Sequence, residues 1–344
     1  MAINKSSAVC ARWAVEIDDG VQCLAWSPDG RWLAAAAVSG PIALIETATG
    51  EVKQRWPGHS DGTLALSWSP DSQRVASSGQ DGFARVWNPN HREEQQRLAG
   101  GSSWVGGVGF SPYVDLLVTA AGKELRAWDL DGQLRQRIKP HASTITDLAW
   151  HPQQTLLASS AFGNVHLWDW QNPETPQQRL LPHPSSLLNA RWSPNGLYLA
   201  CGCQDSSLRC WTWPDQQDFQ MSGYVGKIAT LAWDPTSRWL ATPDADAISL
   251  WDFSKGPPTN SSPLDIEGPA DPVRDLAFQA TGQRLAAGTQ SGQLFIWDID
   301  ADGYRALWQG KLRGGFQRLV WHPQERLLAV GGADGAVAAF EFLR

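Results

Sequence analysis

The chain is 344 residues long, 42% apolar and 18% charged, with a formal net charge of −7 and a pI near 5.5. That is enough apolar mass for a large core, and the acidic balance supplies no basic field to draw in a phosphate backbone, which argues against nucleic acid as a partner. No window approaches the run of about 18 apolar residues that a membrane span needs, no signal peptide is evident at the N-terminus, and five cysteines cannot all pair, so a reducing cytoplasm is the expected setting.

Residues 1–10 read as a loose tail, and 11–17, which contain Arg12-Trp13-Ala14-Val15-Glu16-Ile17, alternate like a strand. Next comes Leu24-Ala25-Trp26-Ser27-Pro28-Asp29-Gly30, whose aromatic position returns at Trp68, Phe110, Trp150, Trp192, Trp233, Phe278 and Trp321, at spacings of 42, 42, 40, 42, 41, 45 and 43 residues. Each anchor closes a short apolar run and is followed by a turn built on Pro, Asp, Asn or Gly. A second run follows, such as Arg31-Trp32-Leu33-Ala34 or Arg326-Leu327-Leu328-Ala329. A third ends in Trp128-Asp129, Trp168-Asp169, Trp251-Asp252 or Trp297-Asp298, with Trp87-Asn88 and Trp211-Thr212 as near matches. Of twenty tryptophans, the repeat absorbs nearly all, and Trp104 alone has no structural slot. The stretch 254–272, with Pro257, Pro258, Pro263 and Pro269, reads as a loop extension.

A period in the low forties, with a Trp-Asp ending in phase, makes residues 11–344 resemble the WD-repeat (WD40) β-propeller family. The resemblance implies an all-β, single closed propeller with four strands per blade. Eight anchors give eight blades, with seven as the alternative. The last repeat supplies three strands, so residues 11–17 are expected to complete the last blade and remove the open sheet edge.

His59, His141 and His183 stand nine residues before their anchors, the family's Gly-His position. The resemblance implies a structural hydrogen-bond chain there, complete in blade 2 as His59, Ser77, Asp81 and Trp87. In blade 5, His183, Asp205 and Trp211 remain, with Cys201 at the hydroxyl position; in blade 4, Phe162 stands where an Asp is expected; in blade 6, Tyr224 takes the His slot.

Other motifs carry rival chemistry. Gly58-His59-Ser60-Asp61-Gly62 matches the nucleophile elbow of serine hydrolases, but a strand follows where a helix is needed. Asp298, Asp300 and Asp302 space three carboxylates as in a calcium loop, with Gln309 at the position where a bidentate Glu belongs; a hairpin turn is the plainer reading. Cys201, Cys203 and Cys210, with Cys201 expected to face Cys210, offer thiols beside His183 for a soft metal.

Trp104 lies in the turn entering the first strand of blade 3, and such turns ring one mouth of the channel. Arg274, Phe316, Arg318, Gln80, Gln204 and Gln290 join it as expected partner-binding residues, aromatics and arginines being strong interface anchors. The expectation is a cofactor-free, non-enzymatic, cytoplasmic scaffold, monomeric on its own, that binds protein partners through this mouth and neither nucleic acid nor membrane. The rival is a propeller with a calcium turn at 298–303 or a small-molecule site in its channel, with hydrolysis as an added activity.

Overall fold

The computed structural model describes residues 9–101, 104–139, 141–244, 247–259, 261–268, 271–312 and 314–343. Among them are eight antiparallel sheets and no helix. Blade 2 is representative: Thr63–Trp68, Val75–Gly79, Phe83–Trp87 and Glu94–Ala99 pair in chain order from the channel outward. The fold is therefore an eight-bladed propeller and not a seven-bladed one. Blade 4 reaches four strands with one long element, Leu156–Asp169, whose first half pairs Ile145–Trp150 and whose second half pairs Gln177–Ser186. It doubles back on itself, with Trp170 N–H donating to the Thr155 carbonyl at 2.9 Å.

The closing strand is Val9–Glu16, paired antiparallel with Ala336–Phe342. It takes in Val9 and Cys10, which the sequence assigned to the tail; residues 1–8 lie outside the described residues. The 254–272 stretch also differs from expectation, because Leu264–Glu267 within it forms the outer strand of blade 6. Its partner strand offers Ile248 and Leu250, both fully buried, which a short alternating segment can cover.

The core lies between blades. One cluster joins Trp26, Leu33 and Ala35 of blade 1 to Leu327, Ala329 and Val337 of blade 8. Strands covered on both faces need small residues where neighbours approach, hence the fully buried Ala34, Ala35, Ala36 and Ala37.

The anchors also lock the ring by hydrogen bonds. Each anchor Trp donates its indole N–H to the carbonyl just before the anchor of the preceding blade. Trp68 reaches Ala25, Trp150 Gly109, Trp192 Ala149, Trp233 Arg191, Trp321 Ala277 and Trp26 Val320, at 2.9 to 3.3 Å. Only the interfaces led by Phe110 and Phe278 lack the bond, and Phe110 substitutes its backbone N–H to Ser67 Oγ at 3.0 Å.

Two interfaces add a histidine. His322 and His151 donate from Nε2 to the carbonyls of Gly30 and Gly196 at 2.9 and 3.1 Å, while Nδ1 accepts from Gln324 and Gln153 N–H. Gly30 and Gly196 have φ of +73° and +74°, and a Cβ there would stand 2.3 and 2.4 Å from the imidazoles. Glycine is required by backbone and by space together. At the outer rim, Trp13 N–H donates to Thr47 O at 2.8 Å and Trp56 N–H to His91 O at 3.1 Å, each reaching the next blade.

Candidate functional site

Blade 2 holds the complete polar chain. Trp87 N–H donates to Ser77 Oγ at 2.9 Å, Ser77 meets His59 Nε2 at 2.9 Å, and His59 Nδ1 meets Asp81 at 2.8 Å. Arg85 Nη1 closes it on the other Asp81 oxygen at 2.6 Å. The chain runs in one direction only if His59 is neutral with its proton on Nδ1. Burial holds the His59 pKa below the ordinary imidazole value, against the pull of Asp81. His59 therefore has no free nitrogen for Ser60, whose hydroxyl is exposed and donates to Asp61 at 3.2 Å. The elbow motif lacks a base.

The other blades solve the same problem differently. In blade 4, His141 binds Ser159 at 2.8 Å and Trp168 donates to Ser159 at 3.0 Å, while the acceptor for Nδ1 is Asn164 at 3.2 Å. Phe162, expected in the Asp slot, is exposed instead, because the tight connection lets the strand side chain at 164 turn back to the ring. In blade 6, Trp251 N–H donates to Tyr224 OH, which meets Thr242 Oγ1, both at 2.7 Å. In blade 5 the chain is broken: His183 Nε2 is 4.0 Å from Cys203 Sγ, and its Nδ1 accepts from Ser185 N–H at 3.1 Å.

The cysteine expectation is corrected by register. Cys201 pairs with Arg209 and Ala200 with Cys210, because the hairpin is centred on Asp205 alone. A one-residue slip reverses faces, so Cys201 and Cys203 pack toward blade 4 and Cys210 toward blade 6. Burial drives the Cys201 and Cys210 thiols well up and Cys203 to about 11, keeping them protonated. The acidic turn is likewise committed. Asp298 accepts from Arg284 at 3.3 Å and Arg305 at 2.7 Å, and Asp300 Oδ1 accepts from the N–H groups of Asp302 and Gly303 at 2.9 and 3.0 Å. Among the described residues no three His, Cys, Asp or Glu side chains converge as a metal would require.

At the mouth, Trp104 is 61% exposed. Arg274, Gln204 and Gln290 are exposed and Gln80 half-buried. The three glutamines donate backbone N–H to the turn entering their own blade, at Gly62, Ser186 and Pro272. Phe316 departs from expectation: it is 1% exposed, its ring packed where a Cβ on Gly288 would come within 2.8 Å. It stands five residues before the anchor, as do Val21, Thr63, Val105, Leu187 and Ile228, all buried. That phase faces the neighbouring blade.

Arg318 is half-buried two residues further in, on the channel wall, where its charge acts on Asp275 and Cys23. Burial raises the Asp275 pKa, while Leu319 and Leu276 N–H groups at 3.0 and 3.1 Å oppose the rise. Asp147 is the counterpart in blade 4, accepting from Ala190 N–H at 3.1 Å and Arg191 at 2.5 Å. Both wall carboxylates therefore staple their blade to the next. Both stand three residues before their anchors, Trp150 and Phe278, a phase that carries Cys23, Ala65, Gly107 and Arg318 in other blades, so no shared residue type marked the role in the sequence.

The family model for the WD domain, G-beta repeat, matches residues 16–40, 50–88, 132–169, 174–212 and 261–298, together just over half of the chain. The match 50–88 runs from the outer strand of blade 1 to the third strand of blade 2. The first three strands of blades 3, 6 and 8 fall outside the matches. A protein transport protein sec13 of Aspergillus clavatus is 24% identical over 66% of this chain and 90% of its own length. THO complex subunit 3 of Arabidopsis thaliana is 23% identical over 57% of this chain and 74% of its own. Striatin-4 of Mus musculus is 23% identical over 58% of this chain and 30% of its own. The crystal structure of a computationally designed protein, Ika8, superposes with a TM-score of 0.79 at 21% identity, over 95% of this chain and 98% of that one. With the repeat matches and the propeller in agreement, the chain belongs to the WD-repeat family.

Proposed function

We propose that the protein is a non-enzymatic, cytoplasmic platform that binds protein partners at the channel mouth around Trp104, with Arg274, Gln204, Gln290, Gln80 and Arg318 as further contacts. The observation that carries the reading is that four blades each turn one exposed apolar side chain toward this end of the ring. Val38 lies in the turn between the second and third strands of blade 1, Phe162 at the corresponding bend of Leu156–Asp169, and Trp104 and Val225 in turns entering first strands. Backbone bonds such as Val38 N to Gly20 O join the two kinds of turn at the same end of the blade. Exposed aromatic anchors of this kind dominate binding energy where they are buried by a partner, and a rigid ring loses little freedom on docking.

The relatives fit a role in assemblies, one of them being named as a subunit of the THO complex. The calcium and hydrolase readings receive no support from the geometry, since Asp298 is held by arginines and Ser60 has no base. The test is affinity purification of the wild-type chain and of Trp104→Ala combined with Phe162→Ser. Both side chains are exposed, so the fold is expected to persist. Loss of the co-purifying proteins is the expected result, and their retention rejects this face.

A further inference from the structure

We infer that the corner of blade 3 beside Trp104 docks an acidic peptide segment carrying a bulky apolar side chain. The inference rests on the platform reading and specifies its partner. Glu124, 8% exposed, gathers three cations on one carboxylate: Arg126 at 2.6 Å, Arg137 at 2.7 Å and Lys139 at 3.5 Å. Burial pushes the Glu124 pKa up, but the hydrogen bonds and charges of Arg137 and Arg126 override it and hold the carboxyl down to about 2. The exposed Lys123 precedes it in the chain. Four positive groups against one carboxylate leave a local excess of three on a chain whose net charge is −7.

The excess is presented outward. The Arg137 and Lys139 side chains are 54% and 67% exposed, so Glu124 neutralises only part of their charge. Arg126 ties the corner to the Trp104 turn: its Nη1 donates to the Ala99 carbonyl, and a Cβ on Gly101 would lie 2.9 Å from its guanidinium. Trp104 follows three residues later. An apolar anchor and a basic rim thus share one blade corner, and the chemistry complementary to both is a carboxylate-rich peptide with one large apolar residue.

The full chain can be panned against a random displayed peptide library, and the enriched peptides synthesised and measured by fluorescence anisotropy. Enriched sequences should be rich in Asp and Glu around an aromatic or aliphatic residue. Their Kd should weaken about tenfold, or about 1.4 kcal/mol, both in Lys123→Glu with Lys139→Glu and in Trp104→Ala. Raising ionic strength, which shortens the screening length to about 8 Å at 0.15 M, should weaken binding of the wild type but little affect the charge-reversed variant. Enrichment of neutral or basic peptides, or affinity unmoved by both variants, overturns the inference. A single-stranded RNA oligomer that displaces the selected peptide with equal affinity also overturns it, in favour of a general polyanion site. If the peptides fail while Trp104→Ala with Phe162→Ser still abolishes co-purification, the acidic partner is wrong and the platform stands; if co-purification also survives, both fall.

Discussion

Replacing Trp68 by Phe isolates the contribution of one inter-blade indole bond. The native chain already places Phe at the equivalent positions 110 and 278, so the smaller ring suits the slot and the backbone has no reason to move. What disappears is the 2.9 Å bond from the indole N–H to the Ala25 carbonyl. A buried acceptor stranded in this way costs about 1–3 kcal/mol. Ala25 is only half-buried on the channel side, which places the cost at the lower end, and the lost ring area brings the total to about 2 kcal/mol. Urea denaturation followed by tryptophan fluorescence should show a lower midpoint with unchanged slope. Trp192→Phe, at the far interface where the acceptor is Ala149, should add to it within about 0.5 kcal/mol because the two share no partner. Trp104→Phe, exposed, should be neutral. A Trp68→Phe midpoint equal to wild type, or equal to that of Trp104→Phe, would refute the idea that these bonds hold the ring.

Acid should loosen the protein through its buried imidazoles. Burial lowers the His141 pKa from 6.5 to about 4, with His166 adding to the effect. The unfolded chain therefore binds the extra proton first, and stability is complete above about pH 6.5 and falls toward pH 4, by about 3 kcal/mol from this residue at 1.36 kcal/mol per unit; unfolding free energies across that range should decline, less steeply in His141→Gln. Gly196→Ala should cost more than about 2 kcal/mol, from a φ of +74° and a Cβ 2.4 Å from the His151 ring, and His151→Ser, the residue found at the equivalent positions 27, 69, 111 and 193, should return part of the loss in a double-mutant cycle. Tyr224→Phe strands Thr242 and Trp251 and should lower stability by about 1–3 kcal/mol, whereas an unchanged melting temperature would show the blade 6 chain to be idle.

Blade number, closure and the complete chain of blade 2 were legible because each rests on residues that recur in phase along the chain. The two His-Pro turns were legible in principle: His151 and His322 each precede a blade whose turn is Ser-Pro-Asn-Gly or Ser-Pro-Asp-Gly, and the glycine is what admits the imidazole. Three things were not legible, for different reasons. The cysteine register depends on whether the hairpin loop has an odd or even number of residues, which composition does not reveal. Asn164 serves His141 from a strand position and not from the turn. Phe316 was grouped with the mouth residues as an aromatic anchor, although its phase relative to the repeat anchor is the buried one.

The same phase argument explains why the mouth can be specialised without disturbing the ring. In blades 1, 2, 3, 4, 7 and 8 the first strand slips register between the fifth and third residues before the anchor. The residue between them is left out of the ladder, as happens at β-bulges. Those residues are Gln22, Leu64, Gly106, Thr146, Arg274 and Gln317, six positions with little in common in size or charge. Their flanking neighbours at the buried phase are uniformly apolar or small: Val21, Thr63, Val105, Ile145, Val273 and Phe316. Packing therefore constrains one residue and releases the next. Arg274 is exposed because it occupies the released position, so its replacement should alter what docks at the mouth while leaving the interlocked anchors untouched.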